Sequence, residues 1–144
     1  MADVDSREKD HTQDTDQARA AREADARRLL LDKGASSLPR VPWLHEKQPP
    51  AAADLIRFAV WRANAGGPSP DTEGIGEEGV LAALTLLAAA RAELDQSEAA
   101  LLFTARAHGL SWPRISRAMG LRSPQAAQQR FDRVSGRAHS LRSH

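Results

Sequence analysis

SEAALLFTARAHGLSWPRISRAMGLRSPQAAQQRFDRV, residues 97–134, carries the punctuation that decides the fold. It separates into three helices. Gly109 provides a stop for the first, because glycine readily takes the left-handed conformation that ends a helix. Ser111 can cap the second, with Leu110 before it as a staple and Pro113 in the first turn, where no backbone donor is missed. Gly120 arrives only nine residues after Ser111, so the second helix should be short. Leu121 plugs the turn, Ser123 caps again, Pro124 takes the first helical position, and the third helix is predicted to run to about Val134.

The apolar spacing assigns faces to these helices. In the first, Leu101, Ala105 and His108 share one side and Ala99, Phe103 and Arg106 another, which predicts packing on two sides. Trp112, Ile115, Ala118 and Met119 are the expected inward side of the second, leaving Arg114 and Arg117 outside. Ala127, Phe131 and Val134 recur at i, i+4 and i+7 and mark the buried side of the third. Its opposite side carries Gln125, Gln129 and Asp132, flanked by Gln128, Arg122 and Arg133. Glutamine offers donor and acceptor together to an adenine edge, and arginine suits guanine or a phosphate. Asp132 would be repelled by a phosphate, and fits only by orienting a neighbour or accepting from cytosine. An αα-corner in a bundle would explain the buried pattern, but not arginine and glutamine on the outward faces.

Residues 110–134, LSWPRISRAMGLRSPQAAQQRFDRV, resemble the helix-turn-helix superfamily. The likeness is greatest to the DNA-reading fourth region of sigma factors and to small actinobacterial transcription regulators with a comparable C-terminal motif. It implies a positioning helix over residues 112–119, a turn at Gly120 and Leu121, and a reading helix from Pro124 onward. With the faces above, the candidate DNA-binding residues are Arg114, Arg117, Arg122, Ser123, Gln125, Gln128, Gln129 and Arg133, and the expected partner is double-stranded DNA.

Charge distribution agrees with that placement. Net charge is only +1, yet residues 104–144 hold eight basic and one acidic side chain. The earlier residues hold the remaining twelve basic and eighteen acidic ones. Arginine outnumbers lysine 17 to 3, a bias that resembles a GC-rich genome, so the position of an arginine carries more weight than the count.

Upstream, residues 51–65 predict a helix, stopped by Gly66-Gly67-Pro68. A Gly- and Pro-rich loop continues to Gly76, and Glu77 and Glu78 then suit the positive end of a helix running to about Leu94. Its apolar face would hold Val80, Leu81, Leu84, Leu87, Ala88 and Leu94, with Arg91 placed to reach Asp95 or Glu98. Residues 36–50 carry Pro39, Pro42, Pro49 and Pro50 around Val41, Trp43 and Leu44, which predicts an extended linker. Trp43 would cap the edge of the core or, alternatively, dock a protein partner. Residues 1–17 have almost nothing to bury and are expected to be disordered. Residues 16–32 are good helix formers whose cluster Leu29-Leu30-Leu31 would fold only against something else.

The expected organisation is all-α: a helical bundle ending in a helix-turn-helix. An acidic tail at 1–35, disordered or partly helical, precedes a linker at 36–50 and a helical support and dimerisation region at 51–96. A DNA-binding unit at 97–135 and a disordered basic tail at 136–144 follow. A homodimer is expected because one reading helix covers few base pairs, and helices at 54–64 and 78–94 hold more apolar surface than a small motif covers.

Other chemistries find little support. Without cysteine there are no disulfides, cysteine zinc sites or thiol nucleophiles. His11, His45, His108, His139 and His144 show no metal spacing with carboxylates, so no metal and no cofactor is expected. Gly74 to Gly79 follows no strand pattern and is no dinucleotide fingerprint, and Glu77 and Glu78 lack a partner base or nucleophile, so no enzyme is expected. MADVDSREKD has no basic-then-apolar order, and no apolar run approaches a bilayer span, so the expected location is the cytoplasm, associated with the nucleoid. Two alternatives to a sequence-reading regulator remain: a protein-interaction module, sigma-factor-related or antagonist-like, and a nucleoid-type nonspecific DNA binder.

Overall fold

The computed structural model describes the backbone of residues 3–65 and 74–142 and the side chains of 12–65 and 74–137. The fold is all-α, as the composition predicts, with no strand among the described residues. The helices are α1 (Asp3–Asp32), α2 (Ala52–Asn64), α3 (Gly76–Thr85), α4 (Leu87–Ala107), α5 (Trp112–Ala118) and α6 (Pro124–Arg142), with a 3-10 turn at Ala35–Ser37. Two compact units divide the chain, Met1–Ala90 and Arg91–His144.

In the first unit α1 packs on α2 and α3, and α2 on α3. The core is built from small residues with a few large ones: Ala26, Leu30, Ala35, Ala52, Leu55, Phe58, Ala59, Ile75, Ala82, Ala83 and Leu86. Gly79 is buried among them, and a Cβ there would lie 2.2 Å from Cγ1 of Ile75, so any side chain would force the buried Ile75 to move. Gly34, at φ 118°, ends α1 with its amide donating to the Leu31 carbonyl (3.1 Å). Lys33 at that end pairs with Glu78 Oε1 at 2.9 Å.

The expectations for this unit fare differently. The acidic segment 1–35, expected to be disordered or partly helical, is helical from Asp3 to Asp32, and its last turns belong to the core, with Ala26 and Leu30 buried. Leu29-Leu30-Leu31 found its partners in α2 and α3. Residues 36–50 are not an extended linker. They fold back on α2, with Leu38, Val41 and Leu44 half-buried. Arg27 Nη1 donates to the Pro50 carbonyl at 2.9 Å, and the Arg40 guanidinium donates to the carbonyls of His45 and Gln48. Trp43 is 79% exposed and so does not cap the core. The α2 helix forms where predicted; its expected stop at Gly66-Gly67-Pro68 lies outside the described residues, as does most of the following loop.

The helix expected to end near Leu94 instead breaks at Leu86, whose amide is shared between the carbonyls of Ala82 and Ala83. A single helix then runs from Leu87 to Ala107, so the boundary expected between 96 and 97 is absent. Ser97 does not cap there, because its hydroxyl donates back to the Glu93 carbonyl (2.9 Å), a bond compatible with an unbroken helix. The apolar face assigned to the α3 region is also inverted. Gly79, Ala82, Ala83 and Leu86 face the core, whereas Val80, Leu81, Leu84 and Leu87 are exposed. The small residues won the core because they allow close helix approach.

Candidate nucleic-acid interface

The second unit is built from α4 beyond Arg91, α5 and α6 around Leu102, Ile115, Ala127 and Val134, with Trp112, Met119, Leu121 and Phe131 packed against them. Each turn is closed by the residues the sequence nominates. Gly109 (φ 77°) and Gly120 (φ 67°) are left-handed. Each ends its helix with the same pair of bonds: Gly109 to Arg106 and Leu110 to Ala105, then Gly120 to Arg117 and Leu121 to Ser116. The Ser111 hydroxyl accepts from the Arg114 amide at 3.4 Å and the Ser123 hydroxyl from the Ala126 amide at 3.1 Å. These caps and stops set where the two helices begin and end, and the apolar cluster holds them together.

Faces agree with the sequence in α6 and in part elsewhere. Ala127 and Val134 are buried and Phe131 half-buried, 6.0 Å from the Trp112 ring. In α5 the inward set is Trp112, Ile115, Ser116 and Met119, not Ala118, which is exposed. Spacing of i, i+3, i+4 and i+7 sets this choice, and Ser116 is tolerated because its hydroxyl donates to the Pro113 carbonyl (3.0 Å). In α4 the predicted two-sided packing is absent. Leu102 is buried while Leu101 and Phe103 are 70% and 67% exposed.

The arginines separate into two groups. Arg130 makes a two-pronged pair with Glu98 (Nε to Oε1 2.6 Å, Nη2 to Oε2 3.3 Å), and Arg137 Nη1 lies 2.9 Å from Asp95 Oδ2. The hydrogen bond and charge of Glu98 raise the pKa of Arg130 further above its already high value. These two cations tie α6 to α4, so Asp95 and Glu98 are engaged there and not by Arg91. The helix itself passes Gly136 and continues to Arg142, in place of the disordered tail expected at 136–144, and well past the end expected near Val134. Arg106 lies 5.1 Å from the Trp112 ring and donates to the Leu110 carbonyl.

The other group is directed outward. Arg114, Arg117, Arg122 and Arg133 are exposed, as are Gln125, Gln128 and Gln129, with Ser123 half-buried by its capping role. Arg117 is steadied by its Nε bond to the Pro113 carbonyl (3.3 Å). Asp132 is exposed on the same helix. Every candidate residue named from the sequence therefore lies on α5, on α6 or in the turn between them, and only Ser123 is partly withdrawn.

Sequence reasoning missed Arg130 and Ser116, and gave Glu98 the wrong partner. A signal was present: 127, 130, 131 and 134 complete the same helical stripe, as do 98, 102 and 105, so a charged residue in each stripe points to a cross-helix pair. Among the described residues no group of three or more His, Asp or Glu side chains could hold a metal, and no helix is long and apolar enough to cross a membrane. Comparison with protein-family models, with curated proteins and with solved structures gave no match for this chain.

Proposed function

We propose that the second unit is a helix-turn-helix that binds duplex DNA, and that the chain is a non-enzymatic transcription regulator. In this reading α5 lies across the backbone and α6 enters the major groove. One observation carries it: α6 turns Arg130 and Arg137 onto carboxylates but leaves Gln125, Gln128, Gln129 and Arg133 exposed beside Arg114, Arg117 and Arg122. Arg114 and Arg117 serve as backbone contacts, the glutamines as base readers. Gln125→Ala and Gln129→Ala should each cost about 1 to 3 kcal/mol on a selected site and much less on random duplex. Arg114→Ala and Arg117→Ala should weaken both duplexes alike. Binding titrations on the two DNAs, after selection from genomic fragments, make the comparison; indifference of all four variants on DNA would end the proposal.

Exposed Leu94, Leu101 and Phe103 on α4 favour a second reading, in which this unit is a protein-interaction module. A module of that kind binds no duplex in the same titrations. A nonspecific nucleoid binder differs again, since it shows no preference for the selected site.

The proposal includes a homodimer, which would present two reading helices about one DNA turn apart. Val60, Trp61, Val80, Leu84 and Leu87 offer an exposed apolar surface on the first unit. Light scattering at tens of micromolar should return twice the 15.6 kDa chain mass. A monomer at that concentration rules out a preformed dimer.

A further inference from the structure

The segment 38–50 closes a cavity against α2 within the first unit. Its volume is about 430 Å³, inside the roughly 300–1,000 Å³ range of small-molecule sites. Leu38, Val41 and Leu44 from the segment and Phe58 and Trp61 from α2 make an apolar, partly aromatic wall. Three charged side chains, Arg40, Asp54 and Arg57, also line it.

Their charges do not cancel. Arg57 Nη1 sits 3.2 Å from Asp54 Oδ1, so these two compensate each other. The Arg40 guanidinium bonds instead to the carbonyls of His45 and Gln48. Carbonyls fix its position without removing its charge. An apolar wall with one uncompensated positive charge, held still by the folded loop, suits an apolar body that bears one negative group.

We propose that this cavity binds a small amphiphilic anion, a ring-sized apolar body carrying a single carboxylate or sulfonate. The site takes no residue from the DNA-reading face, and of its lining only Trp61 also belongs to the surface offered for the homodimer.

Two probes of similar shape test it on the full chain: anilinonaphthalene sulfonate, an anion, and phenylnaphthylamine, which is neutral. Probe fluorescence should report one saturable site for each. Asp54→Asn should tighten the anion about two- to fivefold and Arg57→Gln weaken it by a similar factor, with the neutral probe unmoved in both, as expected for charges near a surface. Both substitutions fall on partly exposed side chains, so the fold survives them. Val41→Phe narrows the cavity and should weaken both probes alike. Leu84→Gln, in the separate groove between α2 and α3, should leave them bound. Loss of the anion in Leu84→Gln, binding of both probes undiminished in a folded Val41→Phe, or equal response of the two probes to the charge changes overturns the proposal.

Discussion

Leu30→Ala should destabilise the first unit by about 2 to 5 kcal/mol, the cost of deleting a large side chain from a core that cannot collapse around the loss. Leu30 has no solvent exposure at all, and it sits in the last full turn of α1 among Leu55, Phe58 and Leu86 of the same cluster. Most other members of that core are alanines, which have no side-chain length with which to fill a hole. Leu29→Ala and Leu31→Ala, on half-buried neighbours, should cost distinctly less. Urea denaturation of the three variants measures the difference, and amide exchange in α1 and α2 should accelerate most for Leu30→Ala. If that variant loses less than its two neighbours, the rotation of α1 is wrong.

Phe131→Ala should destabilise the second unit by about 3 kcal/mol, the lower end for a deleted ring because Phe131 is only half-buried. Its ring lies against Trp112 at 6.0 Å and closes α6 onto α5. Loss of that contact should loosen the angle between the two helices, so weakened DNA binding and lowered stability should appear together. The glutamine substitutions must instead reduce binding with no change in melting. Phe131→Leu, which keeps most of the apolar volume, should restore most of both. Thermal unfolding monitored through tryptophan fluorescence checks it, and a Phe131→Ala protein that melts like the parent would sink the assignment of α6 faces.

Local signals predicted the second unit well and the first poorly, for a physical reason. The turns at Gly109 and Gly120 and the caps at Ser111 and Ser123 are set by a few adjacent residues, and all four form as read. In the first unit the sequence shows apolar residues on both sides of α3, and only tertiary packing decides between them. Alanines and Gly79 went inward because they let α1 and α2 approach, which left Val80, Leu81 and Leu84 outside. Leu30 likewise has no meaning until α2 and α3 exist as its partners. Residues 36–50 were misread because proline density suggests extension, while the bonds that fold the segment come from Arg27 and Arg40, whose targets are backbone carbonyls. The exposed arginine and glutamine face was legible from helical spacing, but which arginines belong to structure emerged only with Asp95 and Glu98 in place.

The two arginines that α6 gives to carboxylates also set how many ions DNA binding would release. Arg130 and Arg137 arrive already neutralised, so they displace no condensed cations from a duplex. The proposed contacts leave Arg114, Arg117, Arg122 and Arg133, which limits each protomer to about four released counterions and a slope of log affinity against log salt near −3.6. Raising monovalent salt from 50 to 200 mM would then cost about 150-fold per protomer. The internal ion pairs thus act as a ceiling on the electrostatic share of affinity, and leave a larger share to the contacts that distinguish one base pair from another.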